Sequence, residues 1–195
     1  MTPARAAEAD GKSSAMAMYQ TPEDAIREWL TDPGLKSSDG APLPFRVLAD
    51  TIRLVKSRGG PDRQISYVTC GGPRGTESWH WTVVASRGAS GSWSVHGVAG
   101  GGGVGALPQR RVPWANLGGN WGRDGFRAGG TVEDAGKNVS RVRLTDARGR
   151  PFEDTVDDGV VLFMSEEPVS MPMHVDLLDV HGDVVASDEW GFVDE

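Results

Sequence analysis

The spacing of apolar residues first becomes regular after residue 20, where four of them recur on one face of an α-helix. Thr21 is a suitable N-cap, and Pro22 fits the first helical position. Asp32-Pro33-Gly34 supplies a stop signal. The pattern therefore predicts a capped helix ending near residue 31, preceded by a disordered tail over residues 1–20. The apolar residues of this helix are Ala25, Ile26, Trp29 and Leu30.

The pattern then changes to alternation of apolar and polar residues, which predicts antiparallel strands. The clearest pair is a hairpin over residues 78–98, with Trp79 and Trp81 on one face of its first strand and His80 on the other. A helix followed by a sheet is therefore expected over residues 21–98. The predicted strands lie within residues 45–58, 64–70, 78–86 and 92–98.

The second half of the chain has the pattern of an all-β unit. Short strands alternate with turns, which is typical of a small antiparallel sandwich or barrel. Residues 160–164 are apolar throughout, so we expect this strand to be buried on both faces. The predicted strands are residues 139–145, 152–156, 160–164, 173–180 and 184–186.

Between these halves lies a glycine-rich tract. Twelve of the chain's 27 glycines fall within residues 97–130. We interpret the tract as a flexible hinge followed by a loop held by tryptophans, so that residues 99–130 connect two parts. The predicted fold is mainly β (α+β): a helix with a curved antiparallel sheet over 21–98, this connector, and a small antiparallel β-sandwich over 131–195.

Composition places the chain among soluble globular proteins. It contains 38% hydrophobic and 24% charged residues, with no apolar run long enough to cross a membrane. Cys70 is the only cysteine, and no signal-peptide core is visible near the start, so we expect a cytoplasmic protein. Sixteen Arg against four Lys, and 21 Val against three Ile, indicate a GC-rich bacterial genome.

Charge is distributed unevenly. The net charge is −7, yet residues 110–150 hold nine basic and four acidic side chains, whereas residues 151–195 hold 13 acids and no Lys or Arg. An acidic chain disfavours nucleic acid as a partner. We expect the basic segment to face the acidic one or solvent.

The second half resembles a small β-sandwich module that recurs in uncharacterised proteins of high-GC bacteria. The resemblance rests on residues 146–150, 158–163 and 177–184, and the tract PWANLGGNWGRDGFRAGG is similar to an element that precedes the module. These motifs are turn and strand chemistry, so they imply a fold and no activity. The first half is similar in layout to cystatin-like cone domains.

The glycine run at residues 100–105 does not have the chemistry of a phosphate-binding loop. Such a loop needs Gly-Lys-Ser/Thr at the start of a helix, and here Ala106-Leu107-Pro108 follows. No βαβ unit is visible for a dinucleotide site. The arginines and tryptophans after the run could instead bind an acidic partner, with the indole rings as contact surfaces. This candidate partner set is Arg110, Arg111, Trp114, Trp121 and Arg123.

Histidines and the cysteine give weaker candidate sites. His80 and His96 could approach each other across the hairpin, and His80 could serve Cys70 as a base. A second candidate metal set is His174, Asp176 and His181, but neither set has a compelling metal-ligand spacing, so no metal or other cofactor is predicted.

Two functions from different classes follow. The first is a non-enzymatic binding or structural module that acts through protein contacts. The alternative is a small-molecule-binding or enzymatic cone domain in residues 21–98, with an aromatic pocket. The residues of this predicted pocket are Trp29, Tyr67, Trp79, His80 and Trp81.

Overall fold

The computed structural model describes residues 19–32, 46–72, 78–103, 113–123, 125–134, 136 and 138–191. The predicted tail lies outside this part of the chain, except for its last two residues. Of these, Tyr19 is ordered, because its carbonyl oxygen accepts a hydrogen bond of 2.8 Å from the Trp93 amide.

The predicted helix is present as α1, Pro22–Thr31. The Thr21 hydroxyl accepts a hydrogen bond of 3.1 Å from the Asp24 amide, which satisfies one of the free N–H groups of the first turn. Ala25, Ile26 and Leu30 are buried, so the apolar face identified in the sequence is the face that packs.

The remaining described elements are a short 3₁₀ turn, Ala49–Thr51, and eleven strands. The strands are β1 (Arg53–Gly59), β2 (Arg63–Gly71), β3 (Ser78–Arg87), β4 (Trp93–Gly103), β5 (Trp114–Gly122), β6 (Gly125–Glu133), β7 (Arg141–Thr145), β8 (Pro151–Thr155), β9 (Val160–Ser165), β10 (Met173–Leu178) and β11 (Val184–Trp190).

These strands form three antiparallel sheets. The first sheet has the order β1-β2-β3-β4, the second β5-β6-β9 and the third β11-β10-β7-β8. Together with the single described helix, they confirm the prediction of a mainly β, α+β fold.

The sheets stack as layers, with α1 outermost. The helix covers one face of the first sheet, where Ile26 and Leu30 pack against Val83 and Trp81. The second sheet covers the other face of the first. The third sheet then packs on the far side of the second, so the second sheet lies between two others.

Strand β9 is buried on both faces, as its apolar sequence predicts. Val160 and Leu162 pack toward the first sheet, against Ile65 and other residues of β2 and β3. Residues 161 and 163, which alternate with them, pack toward the third sheet. None of the residues 160–163 is more than 2% exposed. One strand therefore contributes to two cores.

The prediction of a hinge and loop is wrong for the described residues of the glycine-rich tract, while residues 104–112 and 124 lie outside them. Strand β4 continues to Gly103, and β5 and β6 form a hairpin in which β6 pairs with β9. Glycine has no side chain to alternate, so the period-two pattern that reveals a strand is missing here. The glycines also allow close approach: a Cβ on Gly129 would lie 2.9 Å from the Thr82 hydroxyl of the first sheet.

Ion pairs join the first sheet to the strands of the second half. The Lys56 ammonium lies 2.7 Å from the Asp154 carboxylate and 2.8 Å from that of Asp157. Asp154 also accepts hydrogen bonds from Arg58 and from the Leu162 amide, at 3.3 and 2.7 Å. Side chains of Lys56 and Asp154 are only 11% and 13% exposed, so this contact is shielded from solvent.

Several arginines of the basic segment face the acidic segment, as the charge distribution predicts. Each forms an ion pair with a carboxylate from residues 151–195. The pairs are Arg127 with Glu166, Arg141 and Arg143 with Glu153, and Arg150 with Glu167.

We predict that Gly130→Ala destabilises the protein. The new Cβ would collide with the main-chain carbonyl of Asn116 in the paired strand, and backbone cannot move aside as a flexible side chain can. We expect a loss of about 1–3 kcal/mol in the free energy of unfolding, measured by urea denaturation. The control is Gly122→Ala, whose Cβ would meet nothing within 4 Å. Equal urea concentrations at the midpoint of unfolding for the two variants would contradict the prediction.

Candidate functional site

A cavity of about 450 Å³ lies between the first and second sheets. We call it the Tyr67–His80 cavity, after the two aromatic side chains in its wall. One wall comes from β1, β2 and β3, and the other from β5, β6 and the start of β9. Its other lining residues are Val55, Thr69, Ser78, Asn116, Thr131, Val132, Glu133, Asp158, Gly159 and Val160.

The two aromatic rings are stacked. The Tyr67 and His80 ring centroids are 5.9 Å apart, and the ring planes are inclined by 18°. Strand pairing produces this contact, because Tyr67 lies opposite Thr82 and His80 lies opposite Thr69 in the β2–β3 ladder. Both side chains therefore project from the same face of the sheet as diagonal neighbours.

Tyr67 is 3% exposed and His80 is half-buried, and no described residue forms a hydrogen bond with the Tyr67 hydroxyl or the His80 ring nitrogens. The described part of the protein does not fully enclose these polar groups. Since both residues line the cavity, water or a ligand within it can form hydrogen bonds with them.

Burial keeps both side chains neutral. It raises the pKa of Tyr67 to about 12 and lowers the pKa of His80 below its usual 6.5. Near neutral pH, the phenol therefore retains its proton and the imidazole has one nitrogen that donates and one that accepts. The pair can form hydrogen bonds with a ligand without bringing charge into the site.

Two carboxylates bring negative charge to the lining of the cavity. Glu133 is half-buried at the end of β6 and Asp158 is exposed, and neither forms an ion pair with a described residue. Asp158 has φ +50° in the turn between β8 and β9, a conformation that Asp and Asn tolerate better than most residues. The cavity thus has aromatic and hydroxyl groups along its wall and negative charge beside them.

The structure does not bring the five residues of the predicted aromatic pocket together. Trp29, Trp79 and Trp81 belong to the core beneath α1, where the Trp79 and Trp81 ring centroids lie 6.1 Å apart. Tyr67 and His80 project from the opposite face of the sheet. Successive residues of a strand alternate between faces, so Trp79 and His80 are necessarily separated.

The same alternation separates Cys70 from His80. Cys70 is buried in the core beneath α1, and burial raises the pKa of its thiol to about 11. It lies opposite Trp79 in the β2–β3 ladder, while His80 faces the other sheet. The histidine therefore does not act on the thiol as a base.

The predicted histidine pairs do not form metal sites. His80 lies opposite Gly101, whereas His96 lies beside the opposite end of β3. His174 Nε2 lies 3.0 Å from an Asp176 carboxylate oxygen, but His181 follows the other end of β10. No group of three or more metal-ligating side chains occurs in the part of the chain that the structure describes.

The candidate partner set is only partly described. Arg110 and Arg111 lie outside the described residues, and Arg123 is exposed in the turn between β5 and β6. Trp114 is buried, and the Trp121 ring packs edge-on against Trp190 at 5.6 Å. Both indoles therefore contribute to packing.

A second cavity, of about 430 Å³, lies near the other end of β3. Arg63, Arg127 and His96 are among its lining residues. Glu166 already binds both guanidinium groups. The positive charge of this cavity is therefore partly neutralised by the protein itself, and the Tyr67–His80 cavity is the stronger candidate site.

Sequence reasoning missed the residues that complete the Tyr67–His80 cavity from the second half. Asn116, Thr131 and Glu133 belong to the glycine-rich hairpin, and Asp158 to a turn. The one available signal was the alternation of Ile65, Tyr67 and Thr69, which places Tyr67 on one face of its strand without showing which face α1 covers.

No protein-family model matches the chain, and no curated protein or solved structure matches it significantly. Within the described residues, no helix is both long and apolar enough to cross a membrane.

We predict that Cys70 resists thiol reagents in the folded protein. The thiol is buried and its raised pKa leaves little thiolate at about pH 8. Ellman's reagent should react at least about tenfold more slowly with native than with urea-unfolded protein, because reaction then requires an opening event. Equal rates would show that the thiol is accessible.

His80 should make stability dependent on pH. Its pKa is lowered in the folded state, so between that value and 6.5 the unfolded chain binds more protons. Stability should therefore fall as the pH decreases from about 7.5 to about 5.5. His80→Gln should reduce this loss, and His96→Gln, at an exposed position, should retain it. Urea midpoints across that range provide the measurement, and identical slopes for the two variants would refute the assignment.

Proposed function

We propose that this protein is a non-enzymatic small-molecule-binding protein and that its ligand occupies the Tyr67–His80 cavity. The observation that carries the proposal is the lining of the cavity, where the neutral Tyr67 and His80 side chains lie close to the Glu133 carboxylate. A concave space in which a few polar groups converge among apolar ones is typical of a ligand site.

The cavity has the mixed lining that ligand sites share. Val55, Val132 and Val160 provide apolar contact, while Thr69 and Thr131 provide hydroxyls. Its volume of about 450 Å³ is suited to a small organic molecule. The half-buried His80 ring, stacked on Tyr67, gives a ligand aromatic contact, and the pairing of β2 with β3 fixes its position.

The protonation states fit a ligand held by hydrogen bonds. Neutral Tyr67 and His80 both donate and accept hydrogen bonds, and the chain's one thiol, Cys70, faces the opposite core. The proposal thus retains two residues of the predicted aromatic pocket and moves the site to the interface between the two halves of the chain.

A second candidate function, action through protein contacts, is supported by the edge of the third sheet. β11 is the last strand of that sheet, and Val184 and Val185 on it are 53% and 40% exposed. An edge strand with exposed apolar residues can pair with a strand of another protein. Val184→Lys should reduce such pairing. Equal capture of a partner by wild-type and variant protein in a pulldown would remove this edge from consideration.

Loss of the Tyr67 hydroxyl should weaken ligand binding. We predict that neutral, cationic and anionic aromatic fragments will include binders that perturb the NMR signals of cavity residues. Tyr67→Phe should raise the Kd of these binders about threefold to tenfold, the equivalent of one net hydrogen bond. Tyr19→Phe is the matched control, since Tyr19 packs against the core beneath α1. Fragments that perturb only other regions would contradict the proposal.

A further inference from the structure

We infer that the Tyr67–His80 cavity selects a ligand that carries a protonated amino group. This inference rests on the proposed function and adds the chemical class of the ligand. It follows from the charge of the cavity, the hydrogen-bonding capacity of its wall and its stacked aromatic pair.

The described residues that line the cavity bring negative charge and no positive charge. Glu133 and Asp158 are among them, and no Lys or Arg is. The Lys56 ammonium approaches the Val160 carbonyl from β1, but Asp154 and Asp157 already bind it. Arg53 lies opposite Thr69 in the β1–β2 ladder and is exposed to solvent. A cation within the cavity therefore meets the half-buried carboxylate of Glu133 and the exposed carboxylate of Asp158, and no described residue neutralises either of them.

Hydrogen-bond acceptors are plentiful around the same space. Carboxylates accept only, neutral imidazole offers one nitrogen lone pair, and the amide of Asn116 and the hydroxyls of Tyr67 and Thr131 all present an oxygen. A primary ammonium group has three N–H donors and no acceptor, which makes it the complement of such a wall. A carboxylate ligand would instead meet Glu133 and Asp158 as like charges.

The aromatic pair borders the same space. Tyr67 is 3% exposed, so the part of the pair that a ligand can reach is chiefly the half-buried His80 ring. Neutral imidazole has one nitrogen that accepts a hydrogen bond, which a protonated amine can donate. The amine should therefore lie close to His80 and within reach of the carboxylates.

The test uses three probes of similar shape and different charge: benzylamine, benzyl alcohol and benzoate. Each is titrated into the full chain at low ionic strength and about pH 7, and binding is followed by NMR shifts of cavity amides. Benzylamine should bind at least about tenfold more tightly than benzyl alcohol, as expected for a hydrogen bond assisted by charge, and benzoate should bind weakest.

The variant Glu133→Gln/Asp158→Asn should remove about tenfold of the benzylamine affinity and leave that of benzyl alcohol unchanged. Asn tolerates the positive φ of Asp158, so the turn should persist. Each single substitution should produce part of the loss, which keeps the test decisive if the double variant is unstable. Glu28→Gln/Asp183→Asn is the matched control, with the same change of net charge at exposed positions on α1 and in the β10–β11 turn.

The outcomes separate the two proposals. If benzyl alcohol binds in the cavity and benzylamine binds no more tightly, the inferred ligand class is wrong and the binding function stands. If none of the three probes perturbs the cavity, both are wrong. An equal loss of benzylamine affinity in the control variant would trace the preference to net charge and overturn the inference.

Discussion

The fold depends on one constraint: strand β9 is apolar on both faces and has to be covered on both. Val160 and Leu162 are covered by the first sheet, while Val161 and Phe163 are covered by the third. Each buried aliphatic or aromatic side chain contributes about 1.5–3 kcal/mol relative to an exposed one, so neither face can be left in water without a large loss. This requirement places the second sheet in the middle of the molecule and forms the interface that contains the Tyr67–His80 cavity.

Ion pairs beside that interface restrict how the first sheet lies on the second, because Lys56 of β1 binds Asp154 of β8 in the third sheet and Asp157 in the turn that leads into β9. Hydrophobic packing alone would allow the first sheet to slide over the second, whereas the Lys56 ammonium has to lie close to the carboxylates of both Asp154 and Asp157. Removing one partner would leave a largely buried charge uncompensated, which is costly. The alignment of the first sheet on the second, and hence the position of Tyr67 relative to Glu133, is therefore held by both kinds of contact.

The elements that could be predicted from the sequence are those whose apolar side chains recur at a regular spacing. The residue types at the start of α1 predicted the Thr21 cap, and the pattern of apolar residues predicted the buried face of α1 and the burial of β9 on both faces. The β5–β6 hairpin was not, because glycines interrupt the alternation that marks a strand, and its pairing with β9 is a long-range contact that local pattern does not contain. Half of the candidate site could not be predicted from the sequence for the same reason. Tyr67 and His80 lie on predicted strands, but Asn116, Thr131 and Glu133 come from this hairpin.

The central position of β9 also has a consequence for the order in which the protein acquires its structure during synthesis. Helix α1 and strands β1 to β4 leave the ribosome before β9 and can pair locally, yet the face that carries Ile65 and Val84 is covered by Val160 and Leu162, between 76 and 97 positions later in the chain. Until those residues emerge, a nascent sheet has one apolar face in water. Contacts of such long range close slowly, because the entropy of a long loop is lost before the contact forms. The early half of the chain is therefore the part for which protection from aggregation matters most while translation continues.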